Sequence, residues 1–152
     1  MKRGMAFFLL IGLLCTLLGC AREEKGVEVL LDEHMAKLEA LPAGKIYRSG
    51  VEIGEMGYFS PHLMATMYGE EAETRCFSLV EEYALYLSSF AEPCEIAVFR
   101  CYARSDADRI AQMCLARIEQ LRILLTGTPY RDRVDAATVS VNGRLVVMQI
   151  VP

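Results

Sequence analysis

The sequence predicts an α+β domain: a four-stranded antiparallel sheet in ββαββ order, one long helix packed on it, and two helices ahead of it. Three observations carry that reading. Residues 79–90 ("LVEEYALYLSSF") and 94–102 ("CEIAVFRCY") are consecutive runs rich in aliphatic and aromatic side chains, as strands are. A long stretch opening at Ser105 repeats apolar residues every three or four positions. Asn142-Gly143 then stands between two alternating runs, the strongest short-range signal for a hairpin.

The chain of 152 residues opens on a different kind of segment. Met1-Lys2-Arg3 is a basic head, residues 5–18 are almost wholly apolar, and Leu17-Leu18-Gly19-Cys20 ends the run. A basic head, a short apolar core and a small residue before the cut read as a secretory signal peptide over residues 1–19. The apolar run falls short of the ~20 residues that cross a bilayer. Its ending resembles the bacterial lipobox, with Leu17 and Gly19 as the peptidase recognition positions and Cys20 as the nucleophile that takes a diacylglyceryl group. Cys20 then becomes the mature N-terminus, and the diacylglyceryl modification is the only cofactor expected.

Removing residues 1–19 leaves 133 residues, enough for one domain with a true core. It also leaves 14 basic against 20 acidic side chains, net −6, so nothing suggests nucleic acid as a partner. Residues 20–26 form a short polar tether, and the single domain runs from 27 to 152, with a helical part at 27–69 and the ββαββ part at 77–152. Fully extended, the tether holds the first folded element no more than about 20 Å from the lipid.

Within the domain, Val27, Leu30, Leu31, His34, Leu38 and Leu41 mark an amphipathic first helix ended by Pro42-Ala43-Gly44. Residues 45–59 hold three glycines without a clear period and read as a turn-rich connection. They do not make a phosphate-binding glycine loop. Ser60 caps a short second helix with Pro61 at its first position, and Gly69 stops it. The first strand follows and is broken at Glu92-Pro93. The second strand is nearly continuous in its apolar character, so both of its faces are expected to be covered.

Ser105 is expected to cap the long helix, with Asp106 and Asp108 favouring the helix dipole. Ile110, Cys114, Ile118, Leu121 and Leu125 form its buried stripe, and Gly127 ends it. In the hairpin, Asn142-Gly143 as a two-residue turn pairs Val141 with Arg144 and Val139 with Val146. Val139, Val146, Met148 and Ile150 then share the inward face.

Cys76, Cys94, Cys101 and Cys114 are an even set in an exported chain, which permits disulfides in three pairings. The balance favours buried small hydrophobes, since a domain of this size does not depend on staples. No metal is expected: there is no Cys-x-x-Cys and the two histidines, His34 and His62, stand apart.

The lipobox, "YG" after a short helix, "EEY" opening a strand, "EIAVFR" as the next strand, a helix of about 20 residues and a closing hairpin together resemble a family of small Gram-positive lipoproteins, grouped only as a domain of unknown function. The resemblance covers roughly residues 45–152, and "EIAVFR" (95–100) is its most specific piece. It implies a lipoprotein on the extracytoplasmic face of the cell membrane, and brings no activity, cofactor or catalytic residue. The chain departs from it in Gly69-Glu70-Glu71 and in its extra cysteines.

Three functions are weighed. No motif for nucleophilic, metal-dependent or phosphoryl-transfer catalysis is present, so no catalytic residue is assigned and an envelope enzyme ranks last. A small-ligand-binding lipoprotein with a pocket in the α+β domain is the alternative. A non-enzymatic binding or scaffolding module at the envelope ranks first. Its partner would be an envelope protein or an anionic polymer, besides the membrane reached through the anchor. Its candidate anion-binding patch is Arg100, Arg104, Arg109, Arg117 and Arg122, in a segment where every basic residue is arginine. The bland alternative is a solvated helix face whose arginines are paired with carboxylates of the acidic first half.

Overall fold

A computed structural model describes residues 24–89 and 92–152. The expected signal segment, with Leu17, Gly19 and Cys20, lies outside the described residues. The class is α+β, but the sheet has five strands, all antiparallel, in the order β1-β2-β3-β5-β4. In chain order the elements are α1 (Val27–Met35), β1 (Gly44–Arg48), α2 (Pro61–Tyr68), α3 (Ala72–Arg75), a 3₁₀ turn (Phe77–Leu79), β2 (Val80–Ser88), β3 (Glu95–Cys101), α4 (Arg104–Leu124), α5 (Arg131–Asp135), β4 (Thr138–Asn142) and β5 (Leu145–Ile150).

The fifth strand corrects the expectation of a turn-rich connection. Gly44-Lys45-Ile46-Tyr47-Arg48 pairs with Ser88 to Ala84. Only two of its residues are apolar, and they serve opposite faces: Ile46 packs beneath α1, and Tyr47 lies 5.4 Å from the ring of Phe59. An edge strand with charged Lys45 and Arg48 lacks the alternation that announces a strand, and the charges discourage pairing with another chain. Gly44 fits where a Cβ would come within 2.5 Å of the Leu87 carbonyl oxygen.

β3 is the central strand and every residue of it is buried. Ile96 and Val98, with Ala84 and Tyr86 of β2, face Val27 and Leu31 of α1. Ala97, Phe99 and Cys101 face the larger core, which α2, α3, α4 and α5 close with Phe59, Phe77, Ile110, Cys114, Ile118, Leu121 and Val134. The molecule is therefore three layers deep: α1, the sheet, and the remaining helices. The predicted stripe of the long helix is buried at all five of its positions.

Two helix boundaries move. α1 stops at Met35 rather than running to Leu41, its end tightened by Lys37 N–H to His34 O and Leu38 N–H to Met35 O bonds. The turn brings the chain round into β1, while Leu38 and Leu41 still pack against the sheet. α4 begins at Arg104 with Ala103 as its N-cap, so Ser105 is not the cap. The Asp106 carboxylate accepts the Ala103 backbone N–H at 3.2 Å and supplies the acidic half of a capping box. The second helix keeps its predicted cap: Ser60 Oγ accepts from Leu63 N–H at 3.2 Å.

The hairpin turns on Gly143-Arg144 instead of Asn142-Gly143. Asn142 pairs with Leu145, Val141 with Val146 and Val139 with Met148. Gly143 takes the positive φ of 63° at the first central position, the arrangement of a type II′ turn. The shift is by two residues, so the inward face of Val139, Val146, Met148 and Ile150 survives it.

Candidate functional site

α2, the second half of α4 and the β1–β2 edge of the sheet line a cavity of about 640 Å³. Its place follows from strand direction. β1 enters, β2 leaves and β3 starts at the same end of the sheet, as the pairs Lys45 with Leu87 and Leu87 with Glu95 show. α4 doubles back after β3, so its later turns return to that end. The walls are Tyr47 from β1, Leu63 and Met67 from α2, Leu87 from β2, and Leu121 and Leu124 from α4. The polar side chains are Lys45, Thr66, Ser88, Ser89, Gln120 and, most buried, Glu95 with Arg117.

Glu95 is the first residue of β3 and points into the helical layer alongside Ala97 and Phe99, where Arg117 meets it. Arg117 Nε donates to Glu95 Oε2 at 3.2 Å, Nη2 donates to Oε1, and Nη1 donates to Gln120 Oε1 at 2.9 Å. Both side chains are about nine-tenths buried. Such a pair is costly to break because the survivor is a charge out of water. The Tyr68 hydroxyl is buried without a hydrogen-bond partner among the described residues. Burial, reinforced by the Glu95 carboxylate, pushes it well above the ordinary tyrosine range.

Other polar groups are committed. Ser88 Oγ donates to Glu92 O at 2.6 Å and accepts from Cys94 N–H at 2.7 Å, which stabilises the β2–β3 connection. Burial pushes the Cys94 thiol up, so it stands protonated at neutral pH. His34 lies on the opposite face of the sheet against Gln149, and His62 is exposed on α2. Lys45 is exposed and carries no ion pair among the described residues. The arrangement suits binding: apolar walls, a polar floor held in place, and a cation beside the opening.

The five arginines predicted as a patch are placed separately. Arg100 is buried and bonds Glu82 at 3.0 Å. Arg117 is the floor of the cavity. Arg122 pairs with Asp135 at 3.1 Å and Glu119 at 3.2 Å. Arg104 and Arg109 are exposed on the opening turns of α4. Outside the five, Arg131, Arg133 and Arg144 also meet carboxylates. Arg100, Arg117, Arg133 and Arg144 are thus answered by carboxylates of residues 24–95, whereas Arg122 and Arg131 pair with Glu119 and Asp135 of their own half.

Sequence reasoning passed over Glu95 and used Arg117 only as a surface charge. A signal existed for both. Glu95 is a lone carboxylate in an otherwise apolar strand, and Arg117 sits three residues after Cys114, on the stripe that runs from Ile110 to Leu125. Among the described residues, no group of His, Cys, Asp and Glu is placed to hold a metal ion, and no helix is long and apolar enough to cross a membrane. The four cysteines are free thiols, three of them buried and Cys76 half-buried.

Comparison with protein-family models, with curated proteins and with solved structures found no significant match for this chain.

Proposed function

We propose that this chain is a lipoprotein, anchored through Cys20 at the extracytoplasmic face of the cell membrane, whose folded domain binds a small amphipathic molecule without transforming it. The cavity carries the reading. About 640 Å³ of largely apolar space is the size and character of a small-molecule site, with few polar groups at fixed places. Lys45 beside the opening and the Arg117–Gln120 edge at the floor favour a ligand with an aliphatic or aromatic body and an anionic head.

The arginine patch is the weaker reading. Three of its five members are engaged by carboxylates, and an arginine already paired has little to offer a polymer or a partner protein.

Thermal unfolding of the purified protein with medium-chain carboxylic acids and with matched alkylammonium ions tests the proposal. The acids should raise the midpoint, by several degrees when present at ~100 times their Kd. Leu121→Trp, which fills the cavity, should abolish the rise. An equal response to both head groups, or a rise that survives the filled cavity, would overturn the site.

A further inference from the structure

We propose that the end of the sheet opposite the cavity is a second membrane contact, a rim that inserts Ile53, Met56 and Tyr102 at the lipid surface and holds the cavity facing away from it. The inference rests on the anchored reading of Cys20.

The chain upstream of the domain arrives at that end and is fastened there. Arg100, buried at the close of β3, donates from Nη2 to the Lys25 carbonyl. Arg144, in the β4–β5 turn, donates from Nη2 to Glu24 Oε2 at 2.9 Å and from Nη1 to Glu81 Oε2 at 2.7 Å. Glu24 is four residues from Cys20, a reach of about 14 Å at full extension. Only a short piece of chain therefore separates the lipid from this edge of the sheet.

The same end carries the two most exposed large apolar side chains among the described residues, Ile53 and Met56. β1 ends here, and residues 49–56 protrude beyond it before Gly57 O accepts the Arg48 N–H at 3.1 Å and closes the loop. Within the loop Ile53 is 84% exposed and Met56 96% exposed. Tyr102 leaves the end of β3 and is 63% exposed. Exposed apolar groups projecting from one end of a sheet suit an interaction surface, and tyrosine is at home at a lipid–water boundary. Glu52 and Glu55 flank Ile53, which keeps the tip at headgroup depth rather than in the acyl core. Along β3, Tyr102 stands about 20 Å from Glu95 at the cavity floor, and on β1 the cavity wall is Lys45 and Tyr47, ahead of the loop at 49–56.

The chain contains no tryptophan, so Ile53→Trp, Met56→Trp and, as a control on the far end, Ile123→Trp each make a sole indole reporter. The full lipidated protein is reconstituted in zwitterionic phosphatidylcholine vesicles with and without bromine on the acyl chains. Emission at 53 and 56 should fall about two-fold in brominated vesicles, as expected of side chains ~5–10 Å into the boundary, while emission at 123 stays unchanged. Vesicle flotation is read in parallel. Protein that floats with all three reporters unquenched would overturn the rim and leave the anchor standing. Blue-shifted, unquenched emission with a doubled particle mass would assign the rim to a second copy of the chain, and overturn the proposal too. Protein that does not float would remove the anchored reading and the rim together.

Discussion

Arg117 in mid-α4 grips Glu95, the first residue of β3, through two donors of its guanidinium, and this is the deepest polar contact between the helical layer and the sheet. The pair orients the floor of the cavity, yet it is replaceable as a source of stability. Arg117→Met leaves a buried carboxylate alone and should cost about 3–5 kcal/mol. The double variant Glu95→Leu/Arg117→Met should lie near the wild type or above it. Urea unfolding of the three proteins checks this. A double variant as unstable as the single one would show that the pair contributes more than charge compensation.

Phe59 is the hub of the aromatic core, with ring centres of Tyr47, Phe77, Tyr83 and Tyr68 at 5.4, 5.7, 6.0 and 6.4 Å. It is fully buried. Phe59→Ala should cost about 3–5 kcal/mol, lowering the urea midpoint at an unchanged m-value. A loss no larger than that of an ordinary surface change would mean that the loop before α2 does not pack as described.

His34 is held below its ordinary pKa by burial, and secondarily by nearby Lys37, while Gln149 Nε2 donates to its Nδ1 at 2.7 Å. The unfolded chain then binds the proton more readily than the folded one. Stability is complete above the ordinary histidine value of ~6.5 and falls as pH drops through it. Melting temperature should decline between about pH 7 and 5, and His34→Gln should flatten that decline. The loss at lower pH should remain, because Glu33 and Asp135 are held below their ordinary values by bonds to Lys25 and Arg131.

Burial pushes the Cys101 thiol up to about 11 and raises Cys94 and Cys114 as well. Cys76 is raised too, but it is the one of the four that solvent reaches. Iodoacetamide at about pH 8 should label Cys76 slowly and leave the other three untouched until denaturant is added. Peptide mass spectrometry gives the count. Native labelling of Cys101, or a disulfide among the four, would contradict the described core.

Local rules account for much of this fold. The Ser60 cap, the five-residue stripe from Ile110 to Leu125, and the inward face of the hairpin follow from short-range chemistry and periodicity, and each is where the sequence predicts it. β1 is different. Its pairing partner lies some 40 residues further on, and with Ile46 and Tyr47 serving opposite faces it has no side of its own to advertise. The hairpin register shows a subtler limit: Asn142-Gly143 and Gly143-Arg144 both satisfy a two-residue turn and both give Gly143 a positive φ, so what separates them is that Asn142 keeps a negative φ and stays in the strand. The cavity floor was legible in part, since a lone Glu95 and an Arg117 on an apolar stripe each ask for a partner. That they are each other's partner depends on α4 doubling back across β3, which no local pattern states.

The fastening of Glu24 and Lys25 also has a mechanical consequence. A pull on the N-terminal side of the domain meets Arg100 and Arg144 before it reaches α1, and these residues belong to β3 and the β4–β5 turn. Tension is therefore delivered to β3, a strand bonded on both sides, and to the β4–β5 turn, rather than first to a terminal helix that could peel away turn by turn. Only when both of these contacts open does the load pass to Val27 and α1.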